Sequence, residues 1–262
     1  MRVTALMRSL QQSPISFIHN NRVQMVTSYL VSEAIRLSLY TPISTYESLA
    51  YKLAGAVAGN FSLLLSDDLV VHFSHPTDVC TEPPVTSPPQ VYNFADEATT
   101  GIICGDSQAS AGNRNLSWAA STVARITNQS PTIGEAWARI LLACAEWQVE
   151  PPYAFSGPFG SPAPGNGSAD APAAPLLILS TRTDHATPLA NAFALSRLHG
   201  GSAVVVQESV GHCALLSSVS PCTYGIVREY FHTGTVPPNG TVCEAECVPS
   251  IPYKACPGLP GA

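Results

Sequence analysis

Two side chains able to move a proton stand at matching places in this sequence. Asp184 follows the apolar run Leu176–Leu179 after a four-residue turn, and His212 follows the run Ala203–Val206 in Val-Gly-His-Cys. A carboxylate beside an imidazole is general acid–base equipment: the acid fixes the ring's tautomer and orientation, and the ring takes a proton from a nucleophile. A short, continuous apolar run is the pattern of a strand buried on both faces. Between the two runs, Thr187-Pro188 reads as a hydroxyl N-cap with proline at the first helical position, and Gly200-Gly201 reads as the stop. The expectation is a strand–helix–strand unit with neighbouring parallel strands. Its acid and imidazole would share the carboxyl rim, where α/β sheets place their chemistry.

The rest of the chain must position that pair. At 262 residues, 45% hydrophobic and 11% charged, it can bury a full core. The net charge of -6, with no Lys/Arg cluster, argues against a nucleic-acid partner. No apolar run approaches the roughly 20 residues that span a bilayer, so no membrane partner is expected. Residues 1 to about 160 read as mainly helical. Asn20-Asn21 is a cap for a helix carrying Val26, Leu30, Ala34 and Leu37. Ser44 with Glu47, and Thr132 with Glu135, are capping-box patterns for two more helices. Tyr46, Trp137 and Trp147 fit a helical core better than a substrate pocket. The proline-rich stretch 81–90 reads as a loop. Ser220-Pro221 caps a last helix that Gly234 stops.

Eight cysteines and five Asn-x-Ser/Thr sequons (Asn60, Asn115, Asn128, Asn166, Asn239) point to an oxidising, extracellular setting, yet the first residues lack the apolar core of a signal peptide. Cys104 with Cys144, and Cys213 with Cys222, are the favoured pairings. Zinc on Cys243, Cys247 and Cys256 is the competing use, without a well-spaced histidine. No metal or cofactor is expected.

Asp-x-x-Thr-Pro after one strand and Gly-His-Cys after the next resemble the C-terminal domain of α/β-hydrolase peptidases of the tripeptidyl-aminopeptidase-like and prolyl-aminopeptidase group. The resemblance continues through Cys222, Tyr230-Phe231, Gly234 and Cys243-Glu244. It reaches back to Ile35-Arg36, Leu39-Tyr40, Leu49-Ala50, Cys104 and Trp137 to Trp147. It implies a partial α/β-hydrolase fold with a mainly helical cap. Residues 1–150 would be the cap, 151–174 a Pro/Gly/Ser-rich connection, 175–234 the hydrolase unit and 235–262 a Cys/Pro-rich tail. It further implies Asp184 as triad acid and His212 as base, with the amino-terminal end of a peptide as substrate of the complete protein.

The nucleophile is the gap. Such a fold carries its serine on a strand-to-helix elbow, Gly-x-Ser-x-Gly, ahead of the acid. No such motif occurs here; the nearest match is Gly105-Asp106-Ser107-Gln108-Ala109, after a very short apolar run. The expectation is therefore the C-terminal part of a serine exo-peptidase, from a truncated gene or a degenerate copy, inactive as it stands. An ester or lipid hydrolase on the same scaffold, and a non-catalytic vestigial or binding protein, are the alternatives.

Overall fold

The computed structural model describes residues 2–19, 22–65, 95–106, 115–145, 159–250, and single positions at 147, 149, 153, 155, 157, 252, 254 and 256. Asn20-Asn21, the stretch 81–90 and Ser107 fall outside them. The chain forms two compact units: Met1–Ile35 with Lys52–Ala154, and Arg36–Tyr51 with Phe155–Ala262.

In the first unit, helix α1 (Arg2–Gln12) precedes an antiparallel hairpin, β1 (Ile15–His19) with β2 (Arg22–Val26). This corrects the reading of a helix containing Val26. The alternation Val23, Met25 against Gln24, Val26 has the period of a strand, and Val26 is fully buried while Met25 is exposed. Helix α2 (Ser28–Ser38) begins after it and ends in residues of the second unit, and α3 (Pro42–Val57), whose residues 42–51 also belong to the second unit, begins two residues ahead of Ser44, with Pro42 at its first position. Pro42 has no N–H to leave unbonded there, which makes it the better helix start. Helices α4 (Ala95–Asp106), α5 (Leu116–Gln129) and α6 (Gly134–Ala143) complete the described helices of this unit, and Cys104–Cys144 bridges α4 to the end of α6.

The second capping box is also not formed. The residue preceding α6 is Ile133, with no side-chain cap. The helix instead takes tertiary partners from α2: the Ala136 N–H donates to Ser32 Oγ at 3.3 Å, and Ser28 Oγ donates to Glu135 at 3.0 Å. Gly134 lets α6 start close against the end of α5, since a Cβ there would lie 2.6 Å from the Ile126 carbonyl oxygen.

The second unit is α/β. Strands β3 (Leu177–Thr183), β4 (Ala203–Val210) and β5 (Thr241–Glu244) form one parallel sheet in the order β3-β4-β5. Helix α7 (Leu189–Leu198) connects β3 to β4. The short α8 (Ala214–Ser217) and α9 (Pro221–Thr233) lie between β4 and β5. Both leading strands run past their apolar cores into polar residues, so Asp184 follows β3 directly rather than after a turn. Thr181 and Gln207 are fully buried, and the Thr181 hydroxyl and the Gln207 amide nitrogen are hydrogen-bonded, which offsets the cost of placing them inside a sheet. α9 matches its sequence reading closely: Ser220 Oγ accepts the Thr223 N–H, Pro221 opens the helix, and Gly234 closes it left-handed.

Candidate functional site

The rim is shaped by a bulge. Thr181 pairs with Gln207 but Thr183 pairs with Val210, so β4 carries one extra residue over that step. Bulges re-aim side chains at sheet ends. Here the result brings the residues just beyond both strands level. The Gly211 N–H donates to the Thr183 carbonyl at 2.9 Å, and Thr181 Oγ1 donates to the Gly211 carbonyl at 2.8 Å. His212 Nδ1 then lies 2.9 Å from Asp184 Oδ2. The acid's side chain is 3% exposed and the imidazole 35%, so the carboxylate is sealed behind a ring that faces outward.

Asp184 is held by its own turn. Its Oδ1 accepts the N–H groups of Ala186 (2.8 Å) and Thr187 (2.9 Å), and its Oδ2 accepts the Thr187 hydroxyl (2.8 Å). Burial pushes this carboxyl up, but the Thr187 and Ala186 donors, with His212, outweigh burial and hold it below its ordinary value. It is a carboxylate at neutral pH. The Thr187 hydroxyl therefore serves the acid, not the helix: Pro188 precedes α7 without a side-chain cap. This corrects the N-cap reading of Thr187, whose pattern in sequence fits either use.

His185, the next residue, is turned to the ring of Tyr40 at a centroid distance of 4.5 Å. Burial pushes its imidazole down, Arg36 and His212 add to this, and Asp184 opposes. Only one of the two adjacent histidine rings, that of His212, has a nitrogen hydrogen-bonded to the carboxylate among the described residues.

Gln207 was missed by sequence reasoning because it interrupts an apolar pattern. Its side-chain amide donates to the Ala214 (2.8 Å) and Ser218 (3.2 Å) carbonyls, tying the loop that carries His212 back to β4. We expect Gln207→Leu, which keeps the bulk and strands those carbonyls, to cost ~2 kcal/mol in denaturant unfolding. A variant as stable as the native chain would remove Gln207 from the loop's support.

The cysteines differ from expectation in one pairing. Cys222 is bridged to Cys243, not to Cys213, and Cys247 is bridged to Cys256. Cys213 is an exposed free thiol with φ of 71°. Its backbone stands at the start of α8. The three sulfurs that a zinc site would need are all consumed in bridges.

Residues 102–106, ahead of Ser107, are the last residues of α4, with Cys104 bridged; they are not a strand leading to an elbow. Among the described residues, no serine hydroxyl is hydrogen-bonded to His212, whose ring nitrogen partners are Asp184 and Thr187.

A parallel β–α–β unit that brings a sealed carboxylate and an imidazole together at its carboxyl rim holds the parts of an acid–base pair. Residues 130–243 match the family model described as TAP-like protein, which supports an α/β-hydrolase TAP-like C-terminal domain and a hydrolase-like function at the level of the family. No curated protein matches the chain.

Proposed function

We propose that Asp184 and His212 are the acid and base of a serine-hydrolase triad, in a chain that corresponds to the cap and C-terminal part of a tripeptidyl-aminopeptidase-like exo-peptidase. The observation that carries this reading is the 2.9 Å contact of His212 Nδ1 with a buried carboxylate that three other donors also hold ionised. Nδ1 so engaged leaves Nε2 to take a proton from a nucleophile. In the complete enzyme that nucleophile is a serine that forms an acyl-enzyme with the carbonyl of a peptide's amino-terminal portion. The amine then leaves with the proton from Nε2, and water resolves the ester.

This chain lacks the Gly-x-Ser-x-Gly elbow, so it has no covalent route as it stands. The purified chain is expected to resist labelling by a fluorophosphonate probe, as is Ser107→Ala. Labelling of the native chain that Ser107→Ala abolishes would make Ser107 the nucleophile and overturn the inactive reading. Aminoacyl-peptide and acyl-ester substrates, offered to the protein isolated from its source, separate peptidase from esterase. Turnover of the ester alone refutes the peptidase.

The protein's setting is proposed to be extracellular, on the strength of three disulfides and five sequons. Among the described residues, no helix is long and apolar enough to cross a membrane. The sequons are not equivalent. Asn60 and Asn166 are exposed in turns, their Oδ1 atoms accepting the N–H groups of Ser62 and Ser168, whereas Asn128 lies within α5. Glycan mapping of secreted protein should find Asn60 and Asn166 occupied and Asn128 bare; glycan on Asn128 with none on the other two would contradict the assignment.

A further inference from the structure

We propose that Tyr40 is a positioning residue for the His212 imidazole, acting through its main-chain carbonyl and its ring from the turn between α2 and α3. The proposal rests on the acid–base reading of Asp184 and His212 given above.

Gln207 ties the loop carrying His212 back to β4 beyond Cys213, and nearer the imidazole the loop takes a partner from elsewhere in the chain. Gly211 and Cys213, on either side, both have positive φ, at 110° and 71°. The peptide before His212 is tied to β3 through Gly211. The next donor, the His212 N–H, reaches the Tyr40 carbonyl at 2.9 Å, from a segment far away in sequence but within the same compact unit. Tyr40 also meets the imidazole with its ring, centroid to centroid 5.3 Å and close to perpendicular at 81°. The same ring meets His185 at 4.5 Å and 90°, so it is set against the histidines on both strand ends. Edge-to-face contacts of this kind restrict ring rotation as well as bury area.

Tyr40 is itself fixed. Arg36 Nη1 donates to its hydroxyl at 3.3 Å, and the Arg36 guanidinium carbon lies 5.7 Å from its ring centroid. The Tyr40 N–H donates to the Leu37 carbonyl, and Thr45 Oγ1 donates to that of Ser38, closing the turn. The approach is built at glycine distance: a Cβ on Gly211 would lie 2.6 Å from Pro42 Cδ and 2.9 Å from the Tyr40 oxygen. A segment brought this close, bonded to the backbone of the base and stacked against its ring, decides which way Nδ1 points. Ordinary packing would stabilise the fold without fixing the tautomer or the proton on Nδ1.

The test is NMR on the full chain with labelled histidine. In the native chain, the Nδ1 proton between His212 and Asp184 should appear as a slowly exchanging low-field signal. Tyr40→Met, which keeps the main-chain carbonyl and removes the ring, should exchange that proton about tenfold faster, the worth of one edge-to-face ring contact, and Tyr40→Phe should restore native exchange. Exchange in Tyr40→Met within twofold of native, with the native signal present, overturns the positioning role and leaves the acid–base reading standing. Absence of the signal in the native chain removes the acid–base reading and this proposal with it. Should Tyr40→Met fail to fold, the His212 amide of the native chain decides. Protection of roughly 100-fold or more over an open loop supports the clamp, and an unprotected amide overturns it.

Discussion

Replacing Asp184 by alanine is expected to cost ~3 kcal/mol of stability at pH 7, and replacing it by asparagine only about 1 kcal/mol. The difference follows from the donor count. Alanine strands the Ala186 and Thr187 N–H groups and the Thr187 hydroxyl, all of which now end on one carboxylate. Asparagine keeps an oxygen for the two N–H groups and turns an NH2 toward Thr187 and His212. The damage from asparagine falls elsewhere: Nδ1 must become an acceptor, which moves the proton to Nε2 and takes the base away from any nucleophile. In a catalytically complete triad that exchange costs about 10⁴ in turnover. The pH dependence has a definite sign. The folded-state pKa of Asp184 lies below its ordinary value, so the carboxylate's contribution is complete above an unfolded-state value of about 4 and is lost as pH falls through the lower folded-state value. The gap between native and Asp184→Ala should therefore hold from pH 7 to about pH 5 and narrow below about pH 4. Denaturant midpoints at pH 7 and pH 3 measure it; an alanine variant that unfolds with the native chain at pH 7 would mean the turn around Asp184 does not hold.

The meeting of Asp184 and His212 at one rim was legible because glycines, prolines and apolar runs punctuate the segment around them, and a β–α–β unit is local enough for such signals to suffice. What escaped reading was polar and buried. Ser180 to Thr183 and Gln207 to Ser209 continue their strands through residues that carry no apolar signature, and only their partners across the sheet make them strand. Thr187 was ambiguous for a different reason: its hydroxyl can accept from a helix N–H or donate to a carboxylate, and here it donates to the charged acceptor beside it. Ser44 and Thr132 failed as caps because Pro42 started one helix sooner and Ser32 supplied the other from a distance. β5 was invisible among prolines, since four residues hold no periodicity. Its place depends on a sulfur bond to another element, and spacing does not determine cysteine pairing.

That bond is the second large lever on the fold. Cys222–Cys243 closes a separation of 21 residues and joins the first turn of α9 to β5. Cys243 is fully buried and opposite Gln207, the residue whose amide holds the loop behind His212. Apart from the bridge, β5 keeps four paired positions on β4, the Gly240 N–H on the Val204 carbonyl, the Val204 N–H on Asn239 Oδ1, and the Ser220 hydroxyl on the Glu244 carbonyl. That is a small hold for an edge strand. Removing loop-closure restraint on this scale costs ~3 kcal/mol, so Cys222→Ala with Cys243→Ala should melt roughly 10 °C lower. Exchange protection should fall first at Val242 and Cys243→Ala, then in the loop that Gln207 anchors. Removing Cys247–Cys256 should cost less, because its separation is only 9 and it secures residues beyond β5. Thiol mapping supplies an independent check, since Cys213 should react with maleimide in the folded chain while Cys222 stays protected. A double variant melting within about 2 °C of native, with the amides of β5 still protected, would mean that hydrogen bonds to β4 alone keep the third strand in place.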